Sequence, residues 1–201
     1  MAKSTGDTAR ADTGRTDSGR RSELLRECRL YLARHGLADL SLSPMAAELG
    51  TSKRMLLYYF GNRSNLIHEA IATSRPDVDE MFRDVADFPA LHAAGRRLWE
   101  AITTGEQQRL IPMLFQLLSV ATTRPEQYGE LAVDAVRAIL DPIAEAHRRL
   151  GLTDEQAGAR ASLLVSALRG LCQDRLVTGE TDRVDAAARM VIDDATAPPD
   201  Q

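Results

Sequence analysis

The sequence predicts an all-α protein with an N-terminal helix-turn-helix head of three helices and a larger C-terminal helical domain. Apolar residues recur at helical spacing along most of the 201-residue chain, and no strand-like alternation is present. Residues 42–60 read as two short helices joined by a glycine-containing turn. Charge is also asymmetric: residues 1–75 carry a net charge of +4, whereas residues 76–201 carry −8. A basic head on an acidic protein is what local attraction to a phosphate backbone requires.

The first predicted helix begins at Ser22 and ends at Gly36, with its apolar residues spaced to cover one face. Residues 1–21 hold almost nothing apolar and are predicted to form a disordered, polar and basic tail. Two interpretations of this tail stay open. Its arginines, among them Arg20 and Arg21, could reach phosphates or the minor groove as an arm. Because aspartates dilute the charge, it could equally be an inert solvated tail.

The next two predicted helices form the helix-turn-helix. Ser43 is a suitable N-cap for the first, because its hydroxyl can accept a backbone N–H, and Gly50 can end that helix. Thr51 or Ser52 caps the second helix. Its predicted inward residues are Met55, Leu56 and either Tyr59 or Phe60. A helix-turn-helix places its second helix in the DNA major groove. The alternative is a pair of ordinary surface helices.

Residues 22–71 resemble the N-terminal domain of tetracycline-repressor (TetR) family transcriptional regulators. The residues that carry the resemblance are His35-Gly36, Ser41-Leu42-Ser43, Met45-Ala46, Leu49-Gly50-Thr51-Ser52-Lys53, Leu56, Tyr58-Tyr59-Phe60 and Gly61-Asn62-Arg63. Three positions depart from the family pattern, which commonly has Gly, Thr and His where this chain has Arg54, Met55 and Tyr59. The resemblance implies a homodimeric repressor that binds a palindromic double-stranded DNA operator and is released by a small-molecule effector.

Residues 22–74 form the predicted DNA-binding domain. Lys53 and Arg54 lie on the first turn of the recognition helix, where base edges come within reach, and the arginine fork suits guanine. Ser41, Tyr58 and Arg63 are expected to hold phosphates. The remaining predicted DNA contacts are Ser52 and Tyr59.

Residues 75–197 form the predicted helical ligand-binding and dimerisation domain, and residues 198–201 a second disordered tail. The segment 107–121 is apolar nearly all round and is expected to be central. An apolar effector with one or two polar groups is expected. The candidate lining residues, each of which could instead be ordinary core, are Trp99, Met113, Phe115, Gln116 and Tyr128.

The helix predicted over 154–178 mixes small residues with leucines. In the dimer that the resemblance implies, this helix and the helix over 182–195 pair with their two-fold mates, and the interface residues are Leu164, Leu168 and Leu171. The alternative is a core helix of a monomer.

Other classes of function have less support. No apolar run is long enough for a membrane span and no signal peptide is present. Cys28 and Cys172 are predicted to be reduced core residues of a cytoplasmic protein. Neither metal-ligand spacing, a phosphate-binding glycine loop nor a nucleophile motif is present, so no cofactor is expected. The alternatives are an all-α protein-interaction module without DNA binding and, less favoured, an all-α enzyme.

Overall fold

The computed structural model describes residues 8–37 and 40–199. Within these residues the chain forms ten helices and no strand, which confirms the predicted all-α class. The chain separates into two compact units between Ser74 and Arg75.

The N-terminal unit contains four helices: α1 (Thr8–His35), α2 (Leu42–Glu48), α3 (Lys53–Phe60) and α4 (Arg63–Ala72). α1 packs against α4, and α3 packs against both α2 and α4. Each of the four helices contributes buried apolar residues to the core of this unit, among them Leu32, Met45, Leu56 and Leu66. This core fixes the two helices of the helix-turn-helix on a small rigid support.

Helix α1 corrects the prediction of a disordered tail. It begins at Thr8, so the disorder predicted for residues 8–21 is wrong, and the first seven residues of that prediction lie outside the described part. Ser22 does not cap a helix, because it lies inside α1, where its hydroxyl donates to the carbonyl oxygen of Ser18. The polar extension is held by long-range contacts: Asp17 accepts from the Tyr59 hydroxyl, and Arg21 binds Glu69.

The caps of the short helices were predicted in part. Ser52 caps α3 by accepting from the Met55 N–H at 3.2 Å, and Gly50 takes the positive φ of 61° that the turn requires. Asn62 caps α4 in the same way. The predicted cap at Ser43 is wrong, because α2 begins at Leu42 with Ser41 as its N-cap residue.

The C-terminal unit contains six helices: α5 (Val78–Arg83), α6 (Phe88–Thr103), α7 (Gly105–Thr123), α8 (Pro125–Arg149), α9 (Asp154–Thr178) and α10 (Thr181–Ala195). α9 packs against both α8 and α10, while α5 and α7 pack against α8. The main core is built from α5, α6, α8, α9 and α10, with Phe82, Leu98 and Ile143 among its buried residues. Thr153 and Gln156 cap the start of α9 reciprocally.

Helix α7 is less central than its sequence predicts. It packs against α6 and α8 through buried residues that include Leu110, Met113 and Leu117. Gln116 and Ser119 are exposed, so the prediction that residues 107–121 form the centre of the domain is wrong. α7 instead covers one side of the helical core, where apolar residues of intermediate exposure are tolerated.

Candidate DNA and effector sites

Helix α3 presents a basic and aromatic surface to solvent. Lys53 and Arg54 are exposed on its first turn, and within the described part of the chain neither makes a hydrogen bond or an ion pair. Tyr58 is 67% exposed, and its ring contacts Tyr59 edge-on with centroids 5.1 Å apart. Met55 is exposed rather than inward, which corrects the prediction for that residue. These side chains are therefore available to a partner in the manner of a recognition helix.

Tyr59 has a different environment from Tyr58. It is half-buried, and its hydroxyl donates to Asp17 of α1 at 2.8 Å. This hydrogen bond to a carboxylate, together with burial, raises the pKa of the Tyr59 phenol. Its predicted contact with DNA stays a prediction, but the structure gives the residue a second role in tying α3 to the N-terminal extension of α1.

Arg63, predicted to hold a phosphate, has its guanidinium directed toward the chain between α1 and α2. Its Nε donates to the carbonyl oxygen of Leu40 at 3.0 Å, and its Nη2 donates to that of Leu37 at 3.4 Å. Ser41 is exposed next to this loop and does not use its hydroxyl to cap α2. Arg63 thus positions the segment that carries Ser41, whatever it contributes to DNA directly.

A partly enclosed cavity lies inside the C-terminal unit. Its free volume is about 40 Å³, which holds on the order of three water molecules. Helices α6, α7, α8 and α9 supply its walls, together with Pro76, which stands two residues before α5. The wall residues on the helices are Leu98, Ile102, Ile111, Leu114, Phe115, Ile139, Val165, Leu168, Arg169 and Cys172. All of these are apolar or a thiol except Arg169.

The predicted effector residues line this cavity only in part. Phe115 contributes to the wall, but the other four do not. Trp99 donates its indole N–H to Asp185 at 3.1 Å, while Met113 and Tyr128 are buried elsewhere in the unit. Gln116 is on the exposed face of α7, so its predicted place inside the domain is wrong. Helical spacing identified the helices that surround the cavity but not the faces that they turn toward it.

The predicted dimer residues also need correction. Leu164 and Leu168 are 0% and 1% exposed inside their own chain, and Leu168 lines the cavity. Leu171 is half-buried. The apolar residues that α9 and α10 leave exposed are instead Leu163, Leu176, Val177 and Met190.

Helices α9 and α10 are joined by charged pairs near the loop that connects them. Arg183 donates to both carboxylate oxygens of Asp174 at 2.9 Å, which holds the pKa of that carboxyl below its usual value. Arg175 donates to Asp185 at 3.1 Å. These pairs fix the end of α9 to the start of α10.

The described residues contain no group of three or more His, Cys, Asp or Glu side chains that could hold a metal ion. None of their helices is long and apolar enough to cross a membrane.

The class defined by this architecture is that of all-α proteins with a helix-turn-helix head and a separate helical domain that contains a cavity. No protein-family model matches the sequence. No curated protein matches it either. Solved structures do match along nearly the whole chain, among them proteins described as TetR-family regulators, as a repressor and as a multidrug-binding protein.

NalD, the secondary repressor of the MexAB-OprM multidrug efflux pump in Pseudomonas aeruginosa, is similar with a TM-score of 0.68 and 16% identity. The match covers 89% of this chain and 95% of NalD. The multidrug-binding protein EbrR, in complex with imidazole, gives a TM-score of 0.61 and 21% identity over 91% of this chain and 93% of EbrR. The TetR-family regulator SCO0857 from Streptomyces coelicolor gives a TM-score of 0.51 and 19% identity, over 98% of this chain and 97% of SCO0857. The fold of this protein is therefore that of the TetR-family transcriptional regulators.

Proposed function

We propose that this protein is a transcriptional repressor that binds a palindromic DNA operator as a homodimer and releases it when a small apolar effector enters the C-terminal unit. The observation that carries the proposal is the first turn of α3. It holds Lys53 and Arg54, exposed and without a partner in the described part of the chain, on the second helix of a helix-turn-helix. Surface cations that contact only solvent in the free protein can neutralise phosphates or read bases in a complex.

Dimer formation is supported by the apolar residues that α9 and α10 leave exposed. Val177 is 79% exposed and Met190 is 72% exposed, although both are large apolar side chains. A single head contacts too few phosphates for strong specific binding, whereas a two-fold dimer doubles the contacts and requires an inverted repeat.

Control by an effector is supported by the cavity and by its connection along the chain. Pro76 lines the cavity and stands two residues after Ser74, the last residue of the N-terminal unit. A ligand that prefers one arrangement of the cavity wall would therefore act directly on the segment that leads to the head. NalD is described as a repressor of an efflux pump and EbrR as a multidrug-binding protein, and both have this fold.

The test is selection of DNA by the full-length protein from a pool of random duplexes. We expect an inverted repeat with half-sites about one helical turn apart, and binding that weakens steeply as salt is raised. The control is the double variant Lys53→Ala, Arg54→Ala, which should keep its melting temperature and lose the selected sequence. Failure to enrich any sequence, with binding insensitive to salt, would instead favour a helical protein-interaction module.

A further inference from the structure

Arg169 is the one charged residue among those that line the cavity of the C-terminal unit. It is on α9, one helical turn from Val165 and Cys172, which also line the cavity. Its side chain is half-buried, and burial lowers the pKa of its guanidinium. A guanidinium in such a place is costly unless other groups accept its hydrogen bonds.

The described part of the chain supplies no such acceptor. Within residues 8–37 and 40–199, Arg169 makes neither a hydrogen bond nor an ion pair. The residues three or four positions away on α9 are Val165, Ser166, Cys172 and Gln173, none of which carries a charge. Exposed arginines of the same unit, such as Arg96 and Arg189, also make no ion pair within the described residues, but water can satisfy their donors. Arg169 differs from them because its unused donors are half-buried beside an apolar cavity.

The remaining wall determines what else the ligand must have. Leu98, Ile139 and Val165 offer only apolar contact, so the body of the ligand should be apolar. The free volume of about 40 Å³ encloses only the first few carbons of an alkyl chain, so the body should be slim. The rest of it must extend through the open side of the cavity or displace wall residues that are half-buried rather than buried, such as Leu114 and Phe115. One guanidinium is balanced by one negative charge, and its planar fork matches a carboxylate.

We propose that the effector is an amphipathic carboxylate whose anionic group binds Arg169 and whose slim apolar body fills the cavity. This inference rests on the proposed function for the meaning of the ligand as an effector, but the binding site itself does not depend on DNA. The sequence predicts an apolar ligand that carries one or two polar groups. The proposal makes one of those groups a carboxylate, so the charge of the ligand is defined.

The test uses three probes that share one alkyl chain: octanoate, octanamide and octylammonium. Binding to the full-length protein is measured by titration calorimetry. We expect octanoate to bind at least tenfold more tightly than octanamide, and octylammonium to bind most weakly. Equal affinity for the acid and the amide, or tightest binding of the amine, would overturn the proposal without any variant being made.

The variant Arg169→Met then locates the anion. It should lose the tenfold preference for octanoate while its affinity for octanamide changes less than threefold, because the apolar wall is intact. Arg169→Lys should keep part of the preference for octanoate. It replaces Arg169→Met in the test if the methionine variant is unstable. Persistence of the full preference in either folded variant would contradict the assignment.

Arg137→Met is the matched control, because Arg137 lines a separate open groove with Leu118, Val133 and Val136. It should leave all three affinities as in the wild type. Loss of the octanoate preference in this variant would place the anion in the groove and overturn the proposal.

A parallel measurement of DNA binding by fluorescence anisotropy separates the two proposals. Octanoate preference without any DNA binding would refute the proposed function and leave the carboxylate site standing. DNA binding to a selected operator without a preference for octanoate would refute the carboxylate site and leave the proposed function standing. When both hold, octanoate and not octanamide should release the operator, and Arg169→Met should stay bound.

Discussion

One nitrogen of Arg21, Nη2, donates to both carboxylate oxygens of Glu69, at 2.7 and 2.6 Å, and so ties α1 to α4. The same guanidinium reaches the last turn of α3. Its Nε donates to the carbonyl oxygen of Tyr59 at 3.3 Å, and its Cζ lies 5.2 Å from the centre of the Phe60 ring. Arg21 therefore holds the end of α3 against α1 and α4.

The first prediction concerns Arg21 as a positioning residue. Arg21→Gln should weaken operator binding several-fold, because α3 can then shift relative to its support. The loss in unfolding free energy should be about 1 kcal/mol, since the pair is partly exposed. Anisotropy and denaturant titration measure the two effects. Arg20→Gln is the control, because the one ion pair that Arg20 makes within the described residues is with Glu23 on the exposed face of α1. Identical behaviour of the two variants would count against the positioning role.

The second prediction separates base reading from structural support. Arg54→Ala should cost roughly 1–3 kcal/mol on the operator and little on random DNA, with an unchanged melting temperature. Arg63→Ala should weaken all sequences alike. Its melting temperature should also fall, because the guanidinium binds the carbonyl oxygens of Leu37 and Leu40. Equal loss on operator and random DNA for Arg54→Ala would refute its role in reading bases.

The third prediction concerns assembly. Val177→Glu should convert a dimer to a monomer at micromolar concentration, because it places an unpaired charge on the exposed apolar surface of α9 and α10. Its helical content should stay unchanged, since Val177 contacts solvent in the single chain. Leu168→Glu should unfold the C-terminal unit instead. Light scattering and circular dichroism distinguish these outcomes, and a wild-type monomer would end the proposal.

The fourth prediction concerns His147 of α8, which is fully buried against the end of α10. Its Nδ1 is 2.9 Å from the carbonyl oxygen of Ile143, and its Nε2 is 3.0 Å from that of Ala195. His147→Leu leaves a buried carbonyl unpaired and should lower the unfolding free energy by about 1–3 kcal/mol. His92→Leu is the control, because His92 pairs with Asp193 in an exposed position. A cost no larger than that of the control would show that the ring is not needed there.

Features that depend on a few neighbouring residues could be predicted from the sequence. The caps at Ser52, Asn62 and Thr153 and the end of α9 at Gly179 follow from local hydrogen bonding and backbone preference. The bounds of the C-terminal helices follow in the same way, since the structure ends α10 at Ala195 as the apolar spacing indicates.

Features that depend on residues far apart in the sequence could not be predicted. The helical extension of α1 is polar, and its contacts with Tyr59 and Glu69 join residues about forty or more positions apart. The face that α9 turns inward could not be predicted either, because α9 carries apolar and small residues on all of its faces. Leu163 and Leu164 are adjacent and identical in type, yet one is 43% exposed and the other 0%. The packing of α9 against α6, α8 and α10 decides between them.

The fifth prediction concerns the two buried thiols and alkaline pH. Burial raises the pKa of Cys28 to about 12 and that of Cys172 to about 11, from an ordinary value of 9.0. Above pH 9 the unfolded chain therefore releases thiol protons that the folded chain keeps. The unfolding free energy should fall as pH rises from about 9 to 11, because the unfolded state binds fewer protons there.

Denaturant titration of the wild type against Cys28→Ala and Cys172→Ala measures this fall, and each variant should reduce its steepness. Alkylation by iodoacetamide gives a second readout. At pH 8 both thiols should react slowly, since the thiolate is the nucleophile and burial disfavours it. Octanoate should slow Cys172 further while leaving Cys28 unchanged, because Cys172 lines the cavity and Cys28 is in the core of the N-terminal unit. Rapid alkylation of Cys172 at pH 8, equal with and without octanoate, would contradict both its burial and its place beside the ligand.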